Sequence, residues 1–91
     1  MGVNMNNELY KKYREMWIVA NNAAKGYAVG DANDSPVEAC AKEGWEILFV
    51  PKANDQICIA RKSNGSIVGV GDGHGPWAVD LERSGGACTR A

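Results

Sequence analysis

The chain of 91 residues has few of the features that mark membrane, secreted or nucleic-acid-binding proteins. Its longest uninterrupted apolar run covers only residues 16–20, which is far too short to span a bilayer. No apolar segment of signal-peptide length lies near residue 1. Ten Lys and Arg stand against eleven Asp and Glu, so the chain lacks the basic field that nonspecific nucleic-acid binding requires. We therefore expect a soluble, cytoplasmic protein that binds neither membrane nor nucleic acid.

Cysteine and histidine are too scarce for the common metal and catalytic motifs. The chain has three cysteines, Cys40, Cys58 and Cys88. Because the number is odd and no two of them form a C-x-x-C pair, a disulfide framework is not expected. Cys40 and Cys58 fall in apolar segments, where cysteine behaves as a small hydrophobe. The single histidine, His74, needs carboxylates or thiols to complete any site. The sequence identifies no catalytic residue, no metal ligand and no cofactor site, and whether the protein is an enzyme stays open.

Residues 7–25 have the spacing of an amphipathic helix. The apolar stripe, which Tyr10 and Trp17 flank, consists of Leu9, Tyr13, Met16, Ala20, Ala23 and Ala24. The run Trp17-Ile18-Val19 would also suit a strand, so a hairpin over residues 16–30 is the alternative.

A short second helix is predicted from residue 36, followed by strands. Ser35 is a good N-cap, Pro36 suits the first helical position, Glu38 completes a capping box and Gly44 ends the helix. Strands are predicted at residues 45–50, 56–62, 66–71 and 77–82. The expected fold is a single α+β domain over residues 1–83, with both helices packed on a four-stranded, mainly antiparallel β meander. Residues 84–91 are expected to form a flexible tail.

Asn64-Gly65 predicts a two-residue hairpin loop, which would set the strand register so that Ile59 faces Val70. A bulky face would then pack on the helices, made of Trp45, Ile47, Phe49, Ile57, Ile59, Val68 and Val70. The second face would also be apolar but small at its centre, where Trp77 would lie over Gly71. That face comprises Leu48, Val50, Cys58, Ala60, Ile67, Gly69, Gly71, Trp77, Val79 and Leu81.

A sheet with two apolar faces must bury both of them, and two helices, one of them short, are barely enough to shield both faces from water. The second face would be covered by the long helix, a partner subunit or a ligand. The leading hypothesis is a non-enzymatic interaction domain that self-associates through this face, with a dimer as first choice. The expected interface residues are Leu48, Val50, Trp77, Val79 and Leu81.

The glycine-rich segment over residues 69–75 carries the alternative hypothesis. A strand rather than a helix follows it, so it lacks the context of a dinucleotide-binding loop. Asp72 and His74 would instead supply polar contacts, and Trp77 an apolar wall, to a small ligand near residues 71–77. On this alternative the protein is a small-molecule binder or a minor enzyme.

The chain also resembles the small proteins encoded by mobile integron gene cassettes. The residue that carries the resemblance is Ala91, because an alanine codon before a stop codon can overlap the recombination core of such a cassette. The resemblance implies no particular activity. It implies that self-association is common among proteins of this kind.

Overall fold

The computed structural model describes residues 7–50 and 57–83 as two helices and five strands. In chain order they are α1 (Asn7–Asn22), β1 (Tyr27–Ala28), α2 (Pro36–Glu43), β2 (Glu46–Phe49), β3 (Cys58–Arg61), β4 (Ile67–Asp72) and β5 (Pro76–Glu82). Neighbouring strands are antiparallel, in the order β1-β5-β4-β3-β2. The α+β prediction is confirmed, with one strand more than expected. The tail predicted at residues 84–91 lies outside the described residues.

The additional strand, β1, follows directly on the end of α1. Residues 16–22 are helical, so the alternative hairpin from residue 16 is wrong. Ala24 takes the left-handed conformation (φ 57°), and the Lys25 amide donates to the Ala20 carbonyl at 2.9 Å, which ends the helix as a Schellman motif. Gly26 then packs its bare Cα against the Trp77 indole, where a Cβ atom would overlap the ring. This close approach lets the chain pair with β5.

The second helix begins and ends at the predicted residues. The Ser35 hydroxyl accepts from the Glu38 amide at 3.1 Å, and the Glu38 carboxylate accepts from the Ser35 amide at 2.9 Å. Gly44, with φ 77°, closes the helix and donates to the Ala41 carbonyl. The predicted capping box is therefore confirmed, and it satisfies amide groups that the first turn would otherwise leave unpaired.

The predicted register between β3 and β4 is wrong by one residue. Lys62 pairs with Ser66 through a 2.8 Å bond from the Lys62 amide, so the loop has three residues, 63–65, instead of two. Gly65 takes φ 92°, the left-handed position that this loop type requires. Ile59 consequently lies opposite Gly69, not opposite Val70. The predicted register of β4 with β5 is correct, since Gly71 faces Trp77 and Gly69 faces Val79.

This register divides the core between two faces of the sheet, with one helix on each. The α2 side contains Val29, Ala39, Cys40, Cys58, Ala60, Val68, Val70 and Ala78. The α1 side contains Tyr10, Tyr13, Trp17, Ile57, Ile59, Val79 and Leu81. The expectation that both helices pack on one bulky face is therefore wrong. The face that contains the strand glycines is covered by the long helix α1, and not by a partner subunit or a ligand, which were the other two possibilities.

A tryptophan does fill the glycine depression, but it is Trp17 from α1 and not Trp77. A Cβ atom on Gly71 would lie 2.7 Å from Trp17 Cζ2 and 2.8 Å from Ile57 Cγ2, so only glycine leaves room for the indole ring. Trp17 Nε1 also donates to the Trp77 carbonyl at 3.0 Å. The helix is therefore rotated relative to the predicted stripe, with Trp17 buried and Met16 37% exposed.

The buried phenol of Tyr13 makes the stability of the fold sensitive to alkaline pH. Burial, a hydrogen bond with Glu82 and the charge of that carboxylate raise the pKa of Tyr13 from 10.0 to about 12. Between these values the folded protein holds a proton that the unfolded chain has lost, so stability falls as pH rises. We expect the urea midpoint to drop between about pH 10 and about pH 12, and to drop less in Tyr13→Phe. Equal losses in the two proteins would contradict this prediction.

Candidate functional site

The β4–β5 loop and the C-terminal end of α1 enclose a concave pocket of about 290 Å³. Its lining residues are Asn21, Ala24, Asp72, Gly73, His74 and Trp77. The three residues that the sequence suggested as ligand contacts thus line one pocket. Sequence reasoning missed Asn21 and Ala24, because they lie in the last turn of α1 and in the turn that follows it, and only the tertiary fold brings the end of that helix to the loop.

The loop at residues 73–75 is held in place by glycines. Asp72 pairs with Pro76 at the end of the β4–β5 ladder, and Gly75 takes φ 93° to turn the chain. Gly73 lies so close to α1 and β5 that a Cβ atom there would be 3.2 Å from Asn21 Oδ1 and 3.0 Å from Trp77 Cβ. The loop therefore rests directly on its neighbours, which positions Asp72 and His74 at the rim.

Trp77 forms the apolar wall of the pocket and is anchored by its backbone. It lies opposite Gly71 on one side and Ala28 on the other, and its carbonyl accepts from the Trp17 indole. The side chain is half-buried, and its own Nε1 is buried without a hydrogen-bond partner among the described residues. Backbone pairing on both sides fixes the main chain of Trp77 in the sheet, and the indole presents a flat apolar surface against which a flat group can pack.

The polar groups of the rim are open to solvent. Asp72 and His74 are both exposed, and neither side chain makes a hydrogen bond or an ion pair with any residue in the described part of the chain. Asn21, which is half-buried, adds an amide that can both donate and accept. The pocket thus combines one flat apolar wall with an unpaired carboxylate, an imidazole and an amide.

The five predicted interface residues do not form an open surface. Val79 and Leu81 are only 5% and 6% exposed, since they lie beneath α1. Leu48 and Trp77 are half-buried beside the same cluster, which leaves only Val50 as an exposed apolar side chain. The face is covered within one chain because α1 carries three large buried aromatic side chains, of which Trp17 fills the space above the strand glycines.

A second group of aromatic and charged side chains, on the α2 side, is already satisfied internally. Lys62 Nζ lies 3.0 Å from Asp80 Oδ1 and 3.2 Å from the Tyr27 hydroxyl. The same ammonium lies 5.6 Å from the centre of the Tyr27 ring and 5.9 Å from that of Trp45. The lysine of the chain itself therefore occupies the place that a cationic ligand would take.

The two described cysteines belong to the core. Cys40 of α2 and Cys58 of β3 are fully buried, with their sulfur atoms 3.9 Å apart. The hydrogen bond between the thiols and their burial raise the pKa of Cys40, so its thiolate is strongly disfavoured. Residues 7–50 and 57–83 contain no cluster of three or more His, Cys, Asp and Glu side chains that would bind a metal ion.

Within the described part of the chain, neither helix is long and apolar enough to cross a membrane. Comparison with models of protein families, with characterised proteins and with solved structures found no match to this chain.

Proposed function

We propose that this protein is a small binding domain that takes a flat, nitrogen-containing organic molecule in the pocket of Asp72, His74 and Trp77. The observation that carries the proposal is that these three residues line one concave pocket of about 290 Å³. Pockets for small ligands usually measure about 300–1,000 Å³, so this one suits a molecule of one or two rings. A peptide or a nucleic-acid strand would need a longer groove.

The chemistry of the lining supports a ligand with a flat ring and hydrogen-bond donors. The Trp77 indole offers an apolar face, and its negative π surface attracts a cationic nitrogen. Asp72 accepts hydrogen bonds and carries a negative charge at the rim. His74 and Asn21 can each donate or accept, which fixes the orientation of the ligand in the plane of the ring. An aromatic amine satisfies all of these groups together.

Binding is favoured over catalysis because the polar groups are exposed. Asp72 and His74 both face solvent, where water competes for their hydrogen bonds and screens their charges. Acid–base catalysis draws its strength from groups held in a water-excluded site. The open rim is therefore better suited to reversible recognition of a small molecule.

The proposal is tested by titrating the ¹⁵N-labelled protein with a set of small aromatic amines and recording amide and indole shifts. We expect the largest shifts at Gly73, His74, the Asn21 side chain and the Trp77 indole. Asp72→Asn should weaken binding roughly tenfold, the equivalent of one charge-assisted hydrogen bond. His74→Ala should weaken it by a smaller factor, because its hydrogen bond carries less charge.

Ser63→Ala is the matched control, because Ser63 is an exposed residue of the other three-residue hairpin loop, at the opposite end of the strands. This variant should bind the amines like the unmodified protein. Affinities that are unchanged in both Asp72→Asn and His74→Ala would overturn the assignment of the pocket, as would shifts confined to residues outside it.

A further inference from the structure

The apolar surface of α1 is wider than the part that the sheet covers. Tyr10, Tyr13 and Trp17 face the core and are at most 7% exposed. Beside them on the helix, Met16 is 37% and Val19 69% exposed. Solvent-facing helix surfaces are normally polar, so the exposure of Met16 and Val19 is not explained by packing within one chain.

The strip, called here the α1 outer stripe, has the spacing of one helix face. It consists of Met16, Val19, Ala20 and Ala23, which lie in a shallow surface depression bordered by Lys12, Glu15 and Lys25. Val19 lies in the last turn of α1 and is 69% exposed, and valine is a poor helix former, so neither helix propensity nor burial within the chain accounts for it. Val19 is therefore best explained by contact with another molecule.

The charges around the outer stripe indicate what that molecule is. Lys12 is directed toward Glu82, with Nζ and Oε2 3.9 Å apart. Glu15 and Lys25, by contrast, make no ion pair with any residue in the described ranges, and they border opposite ends of the stripe. Ala20 lies midway between them in the sequence. The stripe thus has one unpaired negative charge at one end and one unpaired positive charge at the other.

A surface of this kind is complementary to a second copy of itself. In an isologous dimer, each residue at one end of the patch meets the residue at the other end of the partner's patch. Two α1 helices that cross in antiparallel fashion near Ala20 would bring Glu15 of each copy to Lys25 of the other. The small side chains of Ala20 and Ala23 allow the two helices to approach closely.

We infer that the protein forms a homodimer in which the α1 outer stripes of two copies pack against each other in antiparallel orientation. The formal net charge of −1 per chain offers little repulsion to such an association. The interface lies on the outside of α1, so it leaves the core beneath the helix unchanged. It also involves none of the residues that line the pocket of Asp72, His74 and Trp77.

The experiment is sedimentation equilibrium from micromolar to millimolar concentration, with variants that separate apolar from charge contributions. Val19→Asp should weaken dimerisation at least about tenfold, because it places a charge at the centre of the interface. Glu15→Lys and Lys25→Glu should each weaken it, since each sets like charges against one another. The double variant Glu15→Lys/Lys25→Glu should restore it, because the pairs form again with reversed sign.

Val50→Asp is the control, as Val50 is also an exposed valine but directly follows the edge strand β2 and is not on α1. It should leave dimerisation unchanged. Circular dichroism should show that all variants are folded, because the substituted side chains are exposed. A mass of 9.8 kDa at every concentration would overturn the inference. A dimer that survives Val19→Asp, or a double variant weaker than both single variants, would overturn it equally.

Discussion

Replacing Trp17 by alanine should lower the free energy of unfolding by about 3–5 kcal/mol. The Trp17 side chain is 7% exposed and lies above Gly71, so its removal leaves a cavity between α1 and the sheet. It also removes the hydrogen bond from the indole to the Trp77 carbonyl. A domain of this size has a total stability of about 5–15 kcal/mol, so this one substitution removes a large part of it.

Urea unfolding followed by circular dichroism measures the effect. Trp17→Phe keeps a ring over the glycines but loses the hydrogen bond, so we expect a smaller loss that leaves the protein folded. Trp45→Ala is a useful comparison, because Trp45 is only half-buried and packs on the α2 side. If Trp17→Ala were no more destabilising than Trp45→Ala, the placement of α1 over the strand glycines would be wrong.

Adding one methyl group at Gly71 should destabilise the fold by about 1–3 kcal/mol. The new Cβ atom would lie 2.7 Å from the Trp17 ring, which is rigid and enclosed, so the whole helix would have to shift. The same change at Gly69 would meet the terminal methyl groups of Leu81 and Ile57 at 2.9 and 3.0 Å. Those side chains can rotate away, and Gly69→Ala should therefore cost less than Gly71→Ala.

The two residues should also be coupled, because Gly71 and Trp17 occupy the same space. In the double variant Trp17→Ala/Gly71→Ala the added methyl group enters the cavity left by the indole. The combined loss of stability should then be smaller than the sum of the two single losses. Additive losses, measured by the same urea titrations, would show that a methyl group at position 71 does not contact the Trp17 ring.

The local elements were predictable because their signals lie within a few residues of one another. The capping box of Ser35 and Glu38 and the ending at Gly44 are interactions between near neighbours, and the structure contains all of them. The pairing of Gly71 with Trp77 follows from a short glycine-rich loop, and it was also correct. For the same reason the sequence could place Asp72, His74 and Trp77 beside one another before their geometry was known.

The register of β3 against β4 could not be predicted in this way, since Asn64-Gly65 suits two kinds of loop. A two-residue loop and a three-residue loop with glycine in the left-handed position both accept this dipeptide. The choice moves every side chain of β3 to the opposite face of the sheet. The observed loop places Ile59 under α1 and the smaller Ala60 under α2, where space is limited by the buried Ala39 and Cys40.

The sequence by itself determined the α+β class, the two helices, the ending of α2 and the closeness of Asp72, His74 and Trp77, since each depends on contacts between neighbours in the chain. Only the tertiary structure decided that the helices cover opposite faces, that Trp17 fills the glycine depression and that the end of α1 completes the pocket. These features depend on strand register and helix rotation, which change the contacts of many distant residues at once. The packing of the whole core selects among such arrangements, and a pattern of a few neighbouring residues does not predict which one is adopted.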